Sequence, residues 1–231
     1  MLKKIDILSF LHRIYSLLIT PCRSNKGINY LLFGFRPVNN TFGGFWDWTS
    51  LEIKKYLQEY FDPGMKFLDM GTGPYGVLSY YVKNKLKGNI ICGADHLEEL
   101  IINAGKQNPA NDIMFITSNL FENINSEYDC IAFNAPYIDK TFGKNIGVLK
   151  DNLSINRFSG GEGGLKTIVK FIESLTSYLT NRGTCILGVN HYYVKHDKIS
   201  DIINTNKSLE LVKYHKNNFT KSAVYILRRK I

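Results

Sequence analysis

The residues best equipped for chemistry lie in the run Asp69-Met70-Gly71-Thr72-Gly73-Pro74-Tyr75-Gly76, between a short apolar segment and an amphipathic one. Glycines let the backbone turn tightly and approach a ligand closely. A helix opening behind them offers free N–H groups to a polar or anionic group. The spacing satisfies G-x-G-x-x-G, a dinucleotide pattern, and strand-to-helix glycines also serve plain packing. Asp69, at the strand end, changes that reading. Its carboxylate suits an ammonium, such as that of a methionine moiety, and would repel a pyrophosphate. Asp95 ends the next apolar run, where a carboxylate can accept two ribose hydroxyl bonds or cap a helix. His96 follows at the helix start. In Thr117-Ser118-Asn119-Leu120-Phe121, the Asn119 amide could meet an adenine edge or close a turn.

Asn134-Ala135-Pro136-Tyr137 directly follows a fourth apolar run. An Asn carbonyl can accept a hydrogen bond from a target N–H. Pro136 stiffens the turn and directs a neighbouring carbonyl toward the same nitrogen, and the Tyr137 ring can stack on a planar group. An amide or amino nitrogen held this way would be aligned for attack, which a weak nucleophile needs. A turn after a strand also favours Asn and Pro. His191, with Tyr192 and Tyr193, follows a fifth apolar run and could take a proton in the same pocket or sit in a loop. Trp46 and Trp48, with Phe42 and Phe45, could form a lid or pack an extension onto the domain.

These residues need a framework that brings strand ends to one edge. Strand and helix signals alternate from Lys66 onward, as in a doubly wound parallel sheet. Strands are expected over Lys66–Met70, Asn89–Ala94, Ile113–Thr117, Tyr128–Phe133 and Thr184–Val189. Helices are expected over Tyr75–Lys85, Leu97–Lys106 and Leu165–Leu179. Leu209–Lys216 and Ser222–Arg229 read as a closing hairpin around Asn217-Asn218. Upstream, Thr49 or Ser50 caps a helix over Leu51–Phe61. Residues 1–48 read as a helical, aromatic-rich extension and 49–231 as the catalytic domain. Apolar residues within Ile5–Ile19 recur at helical spacing, a greasy face for the domain or for a second copy in a homodimer.

The chain of 231 residues can bury one sizeable core, and its 44% hydrophobic and 13% aromatic content belongs to a folded globular protein. Its net charge of +9 favours anionic partners or reflects a Lys-rich surface. Asp6, His12 and Arg13 interrupt the N-terminal apolar stretch, so neither a spanning helix nor a signal peptide is expected. Cys22, Cys92, Cys130 and Cys185 lack metal-ligand spacing, three lie in strand-like runs, and free thiols in a reducing cytoplasm are the simplest account.

The order D-x-G-x-G, an acid ending the next strand, N-[PA]-P-Y, then Gly160-Gly161-Glu162-Gly163-Gly164 before a long helix resembles the methyltransferase small domain group. That group includes release-factor glutamine, ribosomal-RNA guanine and adenine amino-methyltransferases. The resemblance spans roughly residues 45 to 195. It implies a seven-stranded Rossmann-like sheet with a C-terminal antiparallel hairpin and S-adenosylmethionine (SAM) as cofactor. Asp69, Gly71, Thr72, Gly73, Asp95, His96, Asn119 and Asn134 would form the cofactor side, and Asn134, Pro136 and Tyr137 would cradle the acceptor nitrogen. Thr49 resembles a family threonine near the cofactor and falls with Trp46, Trp48, Tyr137 and His191 toward the acceptor. A Tyr81…Lys85 pair of the hydride-transfer kind lies on the first helix, away from that edge. Ala135 replaces the usual first proline, Asn119 replaces an Asp, and the extension is shorter than the helical domain of release-factor enzymes. The expected function is SAM-dependent N-methylation of a nucleic acid or protein; a small-molecule methyltransferase and a non-catalytic binding module are the alternatives.

Overall fold

The computed structural model describes residues 18–107 and 112–230. The helix expected over 5–19, and any dimer contact it makes, lies outside them apart from its last two residues. Five strands form the parallel part of the main sheet: β1 (Lys66–Met70), β2 (Ile90–Asp95), β3 (Met114–Thr117), β4 (Tyr128–Asn134) and β7 (Leu179–Asn190). The hairpin β8 (Leu209–Lys216) and β9 (Ser222–Arg229) completes it. The order is β3-β2-β1-β4-β7-β9-β8, with β9 antiparallel to both neighbours. A two-stranded piece, β5 (Ile138–Asp139) and β6 (Ser159–Gly161), stands beside it.

Alternation along the strands sends side chains to two cores. Leu68, Ile131, Phe133, Leu187, Val189 and Tyr225 join one, with residues of α7 (Lys166–Leu175) and α8 (His196–Thr205). Phe67, Cys130, Ala132, Ile186, Val224 and Ile226 join the other, with α2 (Trp48–Tyr60) and α3 (Val77–Asn84). Both faces of the parallel strands are therefore buried, which explains their continuous apolar runs. Cys92, Cys130 and Cys185 are buried free thiols and Cys22 is exposed.

The expected strands and main helices are found, with ends shifted by a few residues. Strand β7 begins earlier than expected because Leu179 already pairs with Tyr128 before an irregularity. The expected helix to Leu179 stops at Leu175 and tightens into a 3₁₀ turn over Thr176–Tyr178. The start of α2 needs correction: its N-cap is Asp47, not Thr49 or Ser50. The Asp47 carboxylate accepts from Ser50 N (2.7 Å), and Ser50 Oγ accepts from Asp47 N (2.9 Å). This reciprocal box satisfies two N-terminal donors. Upstream, α1 (Lys26–Phe33) follows a helical stretch over 18–23, and Phe33, Phe35, Phe45 and Trp46 are buried in the same core as α2 and α3. Among the described residues no helix is long and apolar enough to cross a membrane.

Candidate active site

The carboxyl ends of β1, β2 and β4 open into a cavity of about 530 Å³, within the range of small-molecule sites. It is lined on one side by Asp69 to Gly73, Asp95, His96 and Asn119, and on the other by Asn134, Pro136 and Tyr137. Phe42, Phe45 and Trp46 of the extension complete its wall.

Backbone geometry explains the glycines. Gly71 and Gly73 both have φ of 65°, a region that carries a steric penalty for other residues. A Cβ on Gly73 would meet nothing within 4 Å, so this glycine's open side belongs to the cavity. Thr72 N donates to Ala94 O (2.9 Å) and Gly73 N to Asp95 Oδ2 (3.1 Å), tying the loop to the end of β2.

Asp69 is buried, and its Oδ2 accepts from Thr72 Oγ1 (2.7 Å), Ser79 Oγ (2.8 Å) and Ser79 N (3.1 Å). That oxygen is fully used in fixing the glycine loop to α3. Burial pushes the carboxyl up to about 6 despite these bonds, since desolvation outweighs them. Asp95 is also buried; its Oδ1 accepts from Leu97 N (3.1 Å) and pairs with His96 Nδ1 (3.3 Å). The hydrogen bond from His96 to Asp95 raises the imidazole's pKa. Asn119 lines the cavity but donates to Glu122 Oε1 (2.8 Å), so its amide N–H already serves a turn.

On β4, parity sends Asn134 to the face that carries Cys130, Ala132 and helix α2. Its Nδ2 donates to both Asp47 carboxylate oxygens, each at 3.1 Å. Its Oδ1 is buried and has no hydrogen-bond partner among the described residues, an uncommon and costly state for a polar atom. The loop beyond is held by the second glycine cluster. A Cβ on Gly160 would lie 2.6 Å from Pro136 O and 2.3 Å from Gly164 O; one on Gly164 would lie 2.3 Å from Tyr137 O. Only glycine lets these two loops touch. Tyr137 stacks on Tyr193 with centroids 5.7 Å apart, and its hydroxyl meets Thr49 Oγ1 at 3.3 Å. One ring face is thus already taken, and burial drives its pKa well up.

Three expected residues lie elsewhere. Thr49 is buried between Tyr137 and Ser222 and does not line the cavity. Trp48 sits edge-on to Trp46 (5.8 Å), outside the lining. His191 shares the face of Leu187 and Val189, so it turns away from Asn134. Its Nδ1 meets Val194 O (2.9 Å) and its Nε2 meets Tyr225 Oη (3.2 Å), while burial lowers its pKa. It is a fold histidine rather than an acid–base group of the cavity. The sequence reading passed over Asp47, although Asp47 and Ser50 stand at capping-box spacing. It also passed over Arg157 of α6 (Asn152–Phe158), which lines the cavity and donates to Phe42 O (3.2 Å). Asp151, Ser154 and their reciprocal bonds mark that helix's start.

The sheet order and terminal hairpin define the methyltransferase fold. A methyltransferase structure from Pyrococcus furiosus superposes on 94% of this chain and 96% of its own with a TM-score of 0.64, at 17% identity. In sequence, the chain is similar to the release factor glutamine methyltransferases of Lactococcus lactis subsp. lactis and of Flavobacterium psychrophilum. The first is 24% identical over 173 residues, covering 73% of this chain and 63% of that protein. The second is 28% identical over 151 residues, covering 62% and 52%. The chain thus spans between about half and two thirds of these relatives. No family model matches it.

Proposed function

We propose that this chain is a SAM-dependent N-methyltransferase acting on an amide or amino nitrogen of a protein. The observation that carries this reading is the buried, unpaired Asn134 Oδ1 at the end of β4, beside the glycine loop. A nitrogen donor brought to that atom would satisfy it. The glycine-lined wall fits SAM: Gly73 opens onto free space, and Asp69 and Asp95 supply negative charge where an ammonium and a ribose need acceptors.

Bound SAM supplies an electrophilic methyl carbon on a positively charged sulfur. The chain's own part is to hold and align. Gly71, Thr72 and Gly73 shape the cradle; Asp95 and His96 serve the ribose side and Asn119 the adenine side. Asn134 Oδ1 accepts the acceptor's N–H, fixing the nitrogen and pushing electron density onto it. Pro136 and Tyr137 keep the loop in place through Gly160 and Gly164. The nitrogen must lose a proton after gaining the methyl group. Asn134 Oδ1, an amide oxygen, accepts only a hydrogen bond from that N–H, and the proton itself passes to solvent.

A protein acceptor is supported by the two relatives, which are named for glutamine in release factors. The charge of +9 is compatible with an anionic surface on that partner. A small-molecule acceptor is the second reading, favoured by the wall of Phe42, Phe45 and Trp46. Tritium from methyl-labelled SAM, offered to separated protein, RNA and small-molecule fractions, tests the choice. Label in protein that resists mild base, as an N-methyl amide does and a methyl ester does not, is expected. Label in RNA, with affinity falling about a thousandfold between 50 and 200 mM salt, would replace the protein reading; label in small molecules would establish the second.

A further inference from the structure

We propose that Asp47 is a positioning residue that sets the orientation of the Asn134 amide, so that Oδ1 and not Nδ2 is offered to the acceptor nitrogen. This rests on the N-methylation reading above. An Asn amide has two ends of nearly equal size and opposite hydrogen-bonding sense. Rotated by half a turn, Asn134 would present N–H groups to an incoming N–H and repel it. An ionised carboxylate accepts and never donates, so the end facing Asp47 must be Nδ2. Both carboxylate oxygens lie 3.1 Å from it.

Asp47 is itself held firmly. Its carboxylate caps α2 through Ser50 N at 2.7 Å, its backbone N–H is held by Ser50 Oγ, and it stands at the positive end of a 13-residue helix. The helix N-terminus thereby fixes the carboxylate, and the carboxylate fixes the amide. A charge drawing on the Nδ2 hydrogens also polarises the amide and makes Oδ1 a stronger acceptor. The route runs from the capping box of α2 to the end of β4, between residues 87 positions apart.

Asp47→Ser separates this role from plain capping, because serine caps helices well but is too short to reach Asn134. The measurements are made on the full chain: SAM affinity by calorimetry, melting temperature, tritium transfer from methyl-labelled SAM to the protein fraction of a bacterial extract, and a nitrogen-15 spectrum. The Asp47→Ser variant should bind SAM within about twofold of wild type and melt within a few degrees of it, yet lose about tenfold or more in turnover. In an Asn134→Ala background the same change should cost almost nothing, because the two residues act as one unit. The Asn134 side-chain NH₂ signals in a nitrogen-15 spectrum should shift and exchange faster in Asp47→Ser. Wild-type turnover in Asp47→Ser, or equal losses in both backgrounds, would overturn the proposal. No transfer by the wild type is a different result: it rejects the activity reading itself, while the NH₂ signals still report whether Asp47 holds the amide.

Discussion

The two halves of the cavity differ in how their polar atoms are paired. On the β1–β2 side, Asp69 Oδ2 takes three bonds, and Asp95 takes Gly73 N on one oxygen and Leu97 N on the other. On the β4 side, Asn134 Oδ1 and Trp46 Nε1 are buried with no partner among the described residues. A self-satisfied half keeps its shape without a ligand. A half with unpaired groups carries a penalty that only a complementary ligand removes. On the proposed reading, the first half is built before SAM arrives and the second is left for the acceptor to complete.

The sharpest way to break this contrast is to remove the unpaired acceptor atom. Asn134→Ala should leave SAM affinity nearly unchanged and reduce turnover by about a hundredfold or more, because the lost contact aligns the nucleophile. Single-turnover kinetics beside calorimetry would show it. Equal losses in SAM affinity and turnover would mean that the two halves are one site.

Asp69 tests the paired half next. With its carboxyl raised to about 6 from an ordinary 3.8, the folded state binds more protons than the unfolded state between about pH 4 and 6. Stability contributed by this group is therefore full below pH 4, declines as pH rises through 6, and is level above it. SAM affinity should run the other way, weakening by up to about tenfold per unit below pH 6 as the charge facing the ammonium is lost. Asp69→Asn should abolish both slopes and weaken SAM binding at pH 8 by about tenfold or more, roughly 1.5 kcal/mol. Calorimetry across pH 5 to 8 checks both; an Asn variant with wild-type affinity would leave Asp69 as a loop anchor only.

The paired half was also the more legible in sequence. Its strands are buried on both faces, so β1 shows as Lys66–Met70 to the residue, and glycines with Asp69 mark the turn beyond it. The hairpin over Leu209–Lys216 and Ser222–Arg229 is equally plain. The acceptor half depends on contacts far apart in the chain. Asp47 looks like a loop residue among aromatics until β4 is folded against it. His191 looked like a pocket residue because it follows a strand end, but its parity with Val189 sends it to Tyr225. Residues 140–158 form two helices of six and seven residues, too short for periodicity to show, so Arg157 was missed with them. Helix α8 buries only Ile199 and Ile203, a stripe too thin to register.

The smallest expected effect concerns the other unpaired atom. Trp46 is 7% exposed and its Nε1 has no partner among the described residues. Truncating a buried aromatic to alanine usually costs about 3–5 kcal/mol, because a large cavity remains. Trp46→Phe leaves a smaller gap and removes a donor whose unmet desolvation costs about 1–3 kcal/mol. The two changes oppose each other, so the net loss should stay within about 1 kcal/mol, a melting shift of about 2–4 °C at this chain length. If the N–H is also held ready for the acceptor, the variant should show a Michaelis constant for the acceptor raised by about tenfold or less, the worth of one neutral hydrogen bond, with SAM affinity unchanged. Thermal melts and steady-state kinetics on the labelled protein fraction separate the cases. A loss of several kcal/mol with an unchanged Michaelis constant would make Trp46 a core residue like Phe45, and the incompleteness of the acceptor half would then reside in Asn134 alone.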